Sequence, residues 1–266
     1  MSHNLRFFDC NCMVSRNLHL APQPMRLETK AQALQEMDEH GIEEAMIYNA
    51  SAKEGFLGPS WSYNASVLDW CRGEERLHPA WVVPLDYAFD MPDPEKGVQD
   101  MIDRGVRMAI TPPCRDYPYV VNEWLCGGVL AALERHRVPV LLCSSDLARS
   151  PFERWYGVSL ENIDWIAGSY PQLPVILAGV GGAPEVLSPL VKRRPNLYIE
   201  ISRYRVCQPI RFLKEHMGIE RVLFGSGMPI TGPGPAMTEV HYAPISEQEK
   251  RMVAGDNLRR LITEVR

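Results

Sequence analysis

Short apolar runs recur along the chain, and their centres are apolar without alternation. VPVLLC at 138–143 and PVILAG at 174–179 are two examples. Runs of this kind are typical of parallel strands that are buried on both faces. They predict strands at Leu5–Cys12, Glu44–Ala50, Leu77–Pro84, Gly105–Pro112, Val138–Ser145, Pro174–Val180, Asn196–Ser202 and Arg221–Met228.

Helical patterns separate these runs and supply their own start and stop signals. TKAQALQEMDEHG has Thr29 as a plausible N-cap and Gly41 as its stop, and Ser246 and Glu249 stand in capping-box spacing. Eight strands alternating with eight helices also suit an open doubly wound sheet, but eight is the number that closes a barrel. The pattern therefore predicts one domain over 1–266, a single (β/α)8 TIM barrel of the α/β class.

Function on such a barrel lies at the carboxyl ends of the strands and in the loops that follow them. The longest predicted loops follow strands two, five and eight. The candidate residues at these places carry carboxylate, amide, thiol, hydroxyl, guanidinium or imidazole groups. They are Asp9, Asn11, Asn49, Ser51, Thr111, Cys143, Ser144, Glu200, Ser202, Arg203, Ser226 and His241.

Composition narrows the functional class without identifying it. The 266 residues are 45% hydrophobic and 23% charged, with a net charge of −5, which gives no indication of nucleic-acid binding. We expect no signal peptide and no membrane span, because no apolar run approaches the necessary length. Seven irregularly spaced cysteines favour reduced thiols over a disulfide framework. The sequence thus predicts a cytoplasmic protein.

Several segments resemble the amidohydrolase-related metal-dependent hydrolases, the branch that contains small-carboxylate decarboxylases and lactone hydrolases. The resemblance covers nearly the whole chain. It is carried by FFDCNC at strand one, RGVRMAITP at strand four, RHRVPVLLCSS at strand five, YPQLPVILAGVGG at strand six, IERVLFGSGMP at strand eight and the closing GDNLRRLI. It implies hydrolysis of C–O or C–N bonds, or decarboxylation, of a small carboxylate or carbonyl-bearing substrate.

The chain departs from that family at the metal ligands. Members usually carry Asp-x-His-x-His in strand one, a histidine ending each of strands five and six, and an aspartate ending strand eight. The positions that match hold Asp9 and then Asn11, Met13, Cys143, Gly179 and Gly227. A catalytic zinc needs about three converging protein ligands. We therefore expect no bound metal and no other cofactor.

Strand alternation suggests which side chains share a face. If Asp9 and Asn11 face the pocket, Cys10 and Cys12 face the helices as small buried hydrophobes. Asp9 is either an acid–base group or the partner of an arginine such as Arg107 or Arg203. With its metal gone, we expect an arginine or a hydrogen-bond donor such as Asn11 to hold it.

The remaining candidates keep two interpretations each. Glu200 shares a face with Ser202 and either points inward, opposite Asp9, or outward to cap a helix. Cys143 is a pocket thiol or an inert one. Arg203 suits a carboxylate substrate or a surface ion pair, and His241 is a proton shuttle over the barrel mouth or a solvated loop residue.

Together these observations predict a metal-independent barrel enzyme. Asp9 and Glu200 are its expected catalytic groups, and Asn11, Cys143, Ser144, Arg203, Ser226 and His241 its expected substrate contacts. The expected partner is a small-molecule substrate, with no nucleic acid or membrane and a possible homo-oligomer. Two alternatives stay open: a non-catalytic barrel that binds a ligand in the old active site, or an unusual metal site built from Asp9, Cys143 and His241.

Overall fold

Eight parallel strands form one sheet in which each strand pairs with the next along the chain. The computed structural model describes residues 5–14, 27–49, 60–83, 91–111, 121–143, 158–181 and 184–266. The strands are β1 Phe7–Val14, β2 Ile42–Asn49, β3 Leu77–Val82, β4 Met108–Ile110, β5 Val140–Cys143, β6 Val175–Ala178, β7 Leu197–Glu200 and β8 Val222–Leu223. The predicted (β/α)8 barrel is confirmed, with all eight strands in the expected order.

Backbone hydrogen bonds between β1 and the segment after β8 bring the two edges of the sheet together. The amide of Cys10 donates to the Phe224 carbonyl at 3.1 Å, and the amide of Met13 donates to the Met228 carbonyl at 2.8 Å. The amide of Gly227 donates back to the Asn11 carbonyl at 3.0 Å. The residues that follow β8 are therefore held directly against β1, where Asp9 and Asn11 lie.

Helices alternate with the strands and cover the outside of the sheet. Those in the described ranges are α1 Lys30–His40, α2 Ser60–Cys71, α3 Pro94–Asp103, α4 Glu123–Arg135, α5 Leu160–Ser169, α6 Pro184–Arg193, α7 Pro209–Met217, α8 Gly234–Tyr242, α9 Glu247–Arg251 and α10 Asn257–Thr263, with a 3-10 turn at Ile219–Arg221 and a π-helical turn at Met252–Asp256. No helix in these ranges has both the length and the apolar character needed to cross a membrane.

The predicted helix signals act as expected at both ends of the chain. Thr29 caps α1 within a capping box, and Gly41 ends that helix in the left-handed conformation. Ser246 and Glu249 form the second capping box, at the start of α9. One prediction is wrong: the segment after β8, expected to be a long loop, contains α8, which begins after Pro233.

The apolar side chains form two layers separated by the sheet. The inner layer fills the barrel with alternate strand residues such as Phe8, Met46 and Ile176. The outer layer packs the other face of the strands against the helices and includes Ile47 and Leu177. This two-layer core explains why the strands read as unbroken apolar runs, since both faces of each strand are buried.

A β-bulge in β1 overturns part of the predicted alternation. Asp9 pairs with Ala45 and Cys12 pairs with Ile47, so three steps along β1 match two steps along β2. Phe8 and Cys10 both lie in the inner layer, as alternation from Phe8 requires, and the bulge that follows puts Cys12 in the outer layer. The prediction that both cysteines face the helices is therefore wrong for Cys10, because that prediction counted from Asp9, which stands between two inner-layer residues.

Asn64 ties α2 to the last residue of β3. Its side-chain amide donates to the Val82 carbonyl at 2.8 Å and accepts from the Val82 amide at 2.9 Å, and Asn64 is buried. We expect Asn64→Ala to lower the free energy of unfolding by about 2 to 4 kcal/mol, because two buried backbone groups lose their partners. Urea unfolding measures this loss. Gln35→Ala, on the exposed face of α1, is the control and should change stability far less.

Candidate functional site

Glu200 ends β7 with its side chain inside the barrel. Its neighbours Ile199 and Ile201 belong to the outer layer, and Glu200 is completely buried. A Cβ atom on Gly225 would lie 2.3 Å from Glu200 Oε1, so glycine at this position leaves the carboxylate its space. Of the two orientations that the sequence allowed, the structure has the inward one.

Three donors surround the Glu200 carboxylate. The backbone amide of Ser202 donates to Oε1, and the Ser202 hydroxyl donates to Oε2 at 2.8 Å. The Asn11 side chain donates to the same Oε2 at 3.2 Å. Burial raises the pKa of Glu200 to about 7; the charge of Asp9 adds to that rise, and the Ser202 and Asn11 bonds oppose it.

Asp9 is buried beside it and is held by donors instead of a cation. Its carboxylate accepts hydrogen bonds from the backbone amide of Asn11 at 2.9 Å, from the backbone amide of Ser226 at 2.8 Å and from the Ser226 hydroxyl. Burial raises the pKa of Asp9, and these bonds oppose the rise. Among the described residues no cation pairs with it, and Arg107 donates instead to the carbonyls of Ile102 and Val106.

Asn11 connects the two carboxylates and reaches a third strand. Its backbone amide donates to Asp9, and its side-chain NH2 donates to Glu200. The side-chain oxygen of Asn11, Oδ1, accepts a hydrogen bond from the Tyr48 hydroxyl at 2.8 Å. We call Tyr48, Asn11, Asp9, Glu200, Ser202 and Ser226 the polar cluster. It lies at the carboxyl ends of β2 and β7, in the middle of β1 and beside the segment after β8.

Sequence reasoning missed Tyr48 and named its neighbour Asn49 instead. Asn49 donates to the Ser66 hydroxyl of α2 at 3.0 Å and so faces away from the cluster. Tyr48 shares the inner layer with Met46, two residues earlier. Side chains two residues apart in a strand point to the same face, so an inward-facing Met46 predicts an inward-facing Tyr48. This alternation is the signal that could have identified Tyr48.

The other predicted substrate contacts lie in different surroundings. Cys143 ends β5, half-buried against the inner layer, and Arg203 lies half-buried in the turn after β7. Ser226 already uses its hydroxyl within the protein, where it donates to Asp9 and accepts from the Met228 amide at 2.9 Å. Ser51 and Ser144 fall outside the described residues.

His241 is not where the sequence placed it. It occupies the last turn of α8, exposed, and its ring centroid lies 5.5 Å from that of Phe7, the first residue of β1. The prediction of a loop histidine over the barrel mouth is wrong, because α8 carries this residue along the outside of the barrel toward the amino end of β1.

The positions that the family resemblance assigns to metal ligands do not fit a metal. Gly179 and Gly227 have left-handed φ angles of 71° and 66°, which favour glycine. A Cβ atom on Gly227 would lie 2.4 Å from Thr231 Oγ1, so any side chain there requires Thr231 to move. No group of three or more His, Cys, Asp or Glu side chains in the described ranges is arranged to hold an ion.

Comparison with known proteins places this geometry in context. A family model described as amidohydrolase matches residues 74–262, more than half of the chain. The chain is similar in structure to the 5-carboxyvanillate decarboxylase of Sphingomonas paucimobilis, with a TM-score of 0.74, 16% identity, and 97% and 99% of the two chains covered. No curated protein sequence matches the chain.

Two further solved structures are similar over nearly the full length. One is a putative 2-pyrone-4,6-dicarboxylic acid hydrolase from Pseudomonas putida, with a TM-score of 0.66, 16% identity and 98% of both chains covered. The other is a dihydroxybenzoic acid decarboxylase from a Polaromonas species, solved with bound manganese, with a TM-score of 0.70, 14% identity and 97% of both chains covered. At these identities the likeness concerns the fold.

The raised pKa of Glu200 predicts how stability depends on pH. The folded chain keeps the Glu200 proton up to about pH 7, whereas an unfolded chain releases it near the ordinary value of 4.5. Between these values the folded state binds more protons, so stability falls as the pH rises. We expect the wild type to lose about 2 to 3 kcal/mol more between about pH 5 and about pH 8 than Glu200→Gln loses. Urea unfolding at both pH values measures this difference, and parallel behaviour of the two proteins would contradict it.

Proposed function

The chain belongs to the amidohydrolase family, and from this membership we propose that it is an enzyme acting without a metal on a small carboxylate or carbonyl-bearing substrate. The reaction takes place at the carboxyl end of the barrel, where the polar cluster lies. Support comes from the fold, from the family match and from the presence of two buried carboxylates at the end of the barrel where such enzymes hold their active sites.

The observation that carries the proposal is the raised pKa of Glu200. A carboxyl group with a pKa of about 7 is present in both protonation states near neutral pH. An acid–base catalyst works best when its pKa lies near the working pH, because it then both gives and accepts a proton readily. Burial on an inward-facing strand end supplies this property to Glu200 without any metal.

The two carboxylates differ in what they offer a substrate. Both backbone donors of Asp9 and the Ser226 hydroxyl are fixed by the β1–β8 contact, so Asp9 anchors the cluster and adds negative charge beside Glu200. Two of the three donors to Glu200 are side chains, from Asn11 and Ser202, and the Ser202 hydroxyl can turn away as a substrate arrives. Glu200 is therefore the proposed proton donor and acceptor, and Asp9 the proposed electrostatic partner.

A protonated Glu200 suits both reaction classes that the family includes. In a decarboxylation, the C–C bond breaks, CO2 leaves, and the electron pair left on carbon takes the Glu200 proton. In a hydrolysis, the same proton goes to the leaving oxygen or nitrogen while water adds to the carbonyl carbon. Solvent restores the proton after decarboxylation, and the attacking water supplies it after hydrolysis, so each cycle balances.

The substrate contacts stay proposals drawn from position. Arg203, in the turn beside Glu200, carries the guanidinium group that would pair with a substrate carboxylate. Cys143 ends β5 beside the inner layer, and its polarisable thiol is the proposed contact for an apolar part of the substrate. Compounds of the kind named for the similar structures, such as hydroxybenzoates, 5-carboxyvanillate and pyrone dicarboxylates, are the first substrates to test.

We expect protein purified without a chelator or a metal-affinity column to contain no stoichiometric zinc, manganese or iron. The reason is the donor chemistry, since Asn11 and Met13 replace imidazoles and Gly179 and Gly227 have no side chain. Elemental analysis measures the content, and thermal melting with added Mn²⁺ or Zn²⁺ tests for weak binding. About one equivalent of metal that tracks with melting temperature would contradict the proposal.

We expect Glu200→Gln to lower turnover by on the order of a hundredfold or more, the usual contribution of a positioned acid or base. Product assays on the carboxylate panel, with CO2 release scored separately from hydrolysis, measure the effect and assign the reaction class. Glu161→Gln, exposed on α5, is the matched control and should keep full activity. If Glu200→Gln turns over a demonstrated substrate as fast as the wild type does, Glu200 is not the acid–base group.

A further inference from the structure

We propose that Tyr48 is a positioning residue for Glu200 that acts through the side-chain amide of Asn11. Nothing in the family match or the similar structures assigns a role to this tyrosine. The inference rests on the proposed function only in giving Glu200 its acid–base task; the positioning itself is a property of the polar cluster.

The hydrogen bonds define the amide orientation. The Tyr48 hydroxyl donates to Asn11 Oδ1 at 2.8 Å, and Asn11 Nδ2 donates to Glu200 Oε2 at 3.2 Å. With the amide turned over, its oxygen would face an ionised Glu200, and two acceptors would repel each other. The tyrosine thus stabilises the one orientation in which Asn11 supports the carboxylate.

Tyr48 is well suited to be a permanent donor. It is buried in the inner layer, and burial raises its pKa well above the usual value. Nearby Cys143, Cys12, Glu200 and Asp9 raise that pKa further when they carry charge. The hydroxyl consequently keeps its proton over the whole working pH range, while Glu200 changes state.

Removing the hydroxyl has a defined consequence. In Tyr48→Phe the side-chain oxygen of Asn11 loses the donor that holds it. The side-chain amide of Asn11 then no longer has a preferred orientation toward Glu200. Because the Asn11 bond favours the ionised form of Glu200, its weakening raises the Glu200 pKa. Among the described residues, Asp9, Cys10 and Tyr48 interact electrostatically with Glu200, and Tyr48→Phe leaves Asp9 and Cys10 in place.

The test is a titration of Glu200 that needs no substrate. In protein labelled with ¹³C at the glutamate side-chain carboxyl, the Glu200 signal is identified by its absence in Glu200→Gln. We expect Tyr48→Phe to move the midpoint upward by about half to one pH unit. The control is Tyr204→Phe, which removes a buried hydroxyl that has no hydrogen-bond partner among the described residues and should leave the midpoint unchanged.

A double-mutant cycle shows whether the effect passes through Asn11. Asn11→Ala alone should raise the midpoint, and adding Tyr48→Phe should then shift it no further. An unmoved midpoint in Tyr48→Phe, or a shift that persists undiminished in the Asn11→Ala background, overturns the inference. If Tyr48→Phe does not fold, Tyr48→Met removes the same hydroxyl and is tested in its place.

The inference and the proposed function fail separately. Glu200→Gln with full activity removes the acid–base role, yet a shifted midpoint in Tyr48→Phe still establishes the positioning. An inactive Glu200→Gln enzyme with an unmoved Tyr48→Phe midpoint keeps the function and removes Tyr48 from it. In an active enzyme that uses protonated Glu200 as its proton donor, the alkaline limb of the pH–rate profile should move with the titration midpoint.

Discussion

Two buried carboxylates that share the donor Asn11 are the constraint on which the rest of the site depends. Burying such charges is costly unless they are hydrogen-bonded or protonated. The chain uses both solutions: Asp9 receives two backbone amides and a hydroxyl, whereas Glu200 takes a pKa of about 7. The closure of the barrel, the glycines after β8 and the amide of Asn11 all serve these two groups.

The barrel could be predicted because its signals are local and repeated. Most strands are buried on both faces and so appear as apolar runs, and the helices begin and end with clear caps at Thr29, Gly41 and Ser246. The helix α8 was missed because its prolines and glycines resemble a loop. Proline is compatible with the first positions of a helix, so such composition does not exclude one.

The site was predicted less completely, for a physical reason. Alternation left Glu200 pointing either inward or outward, and only the structure decides between the two. Cys10 lies on the face opposite the expected one, and an extra residue in β1 separates its face from that of Cys12. The sequence gives no local sign of this bulge, which depends on pairing with β2. Tyr48 and the Ser226–Asp9 contact depend in the same way on which strands meet, and His241 depends on the course of α8.

The close packing around Gly227 bears on which substitutions the site tolerates. A Cβ atom there would lie 2.4 Å from Thr231 Oγ1 and 3.1 Å from Ser202 Oγ. Ser202 in turn donates its hydroxyl to Glu200. A substitution at Gly227 would therefore reach the Glu200 carboxylate indirectly, by displacing the serine that supports it. The backbone of this turn thus tunes the acidity of a side chain on another strand.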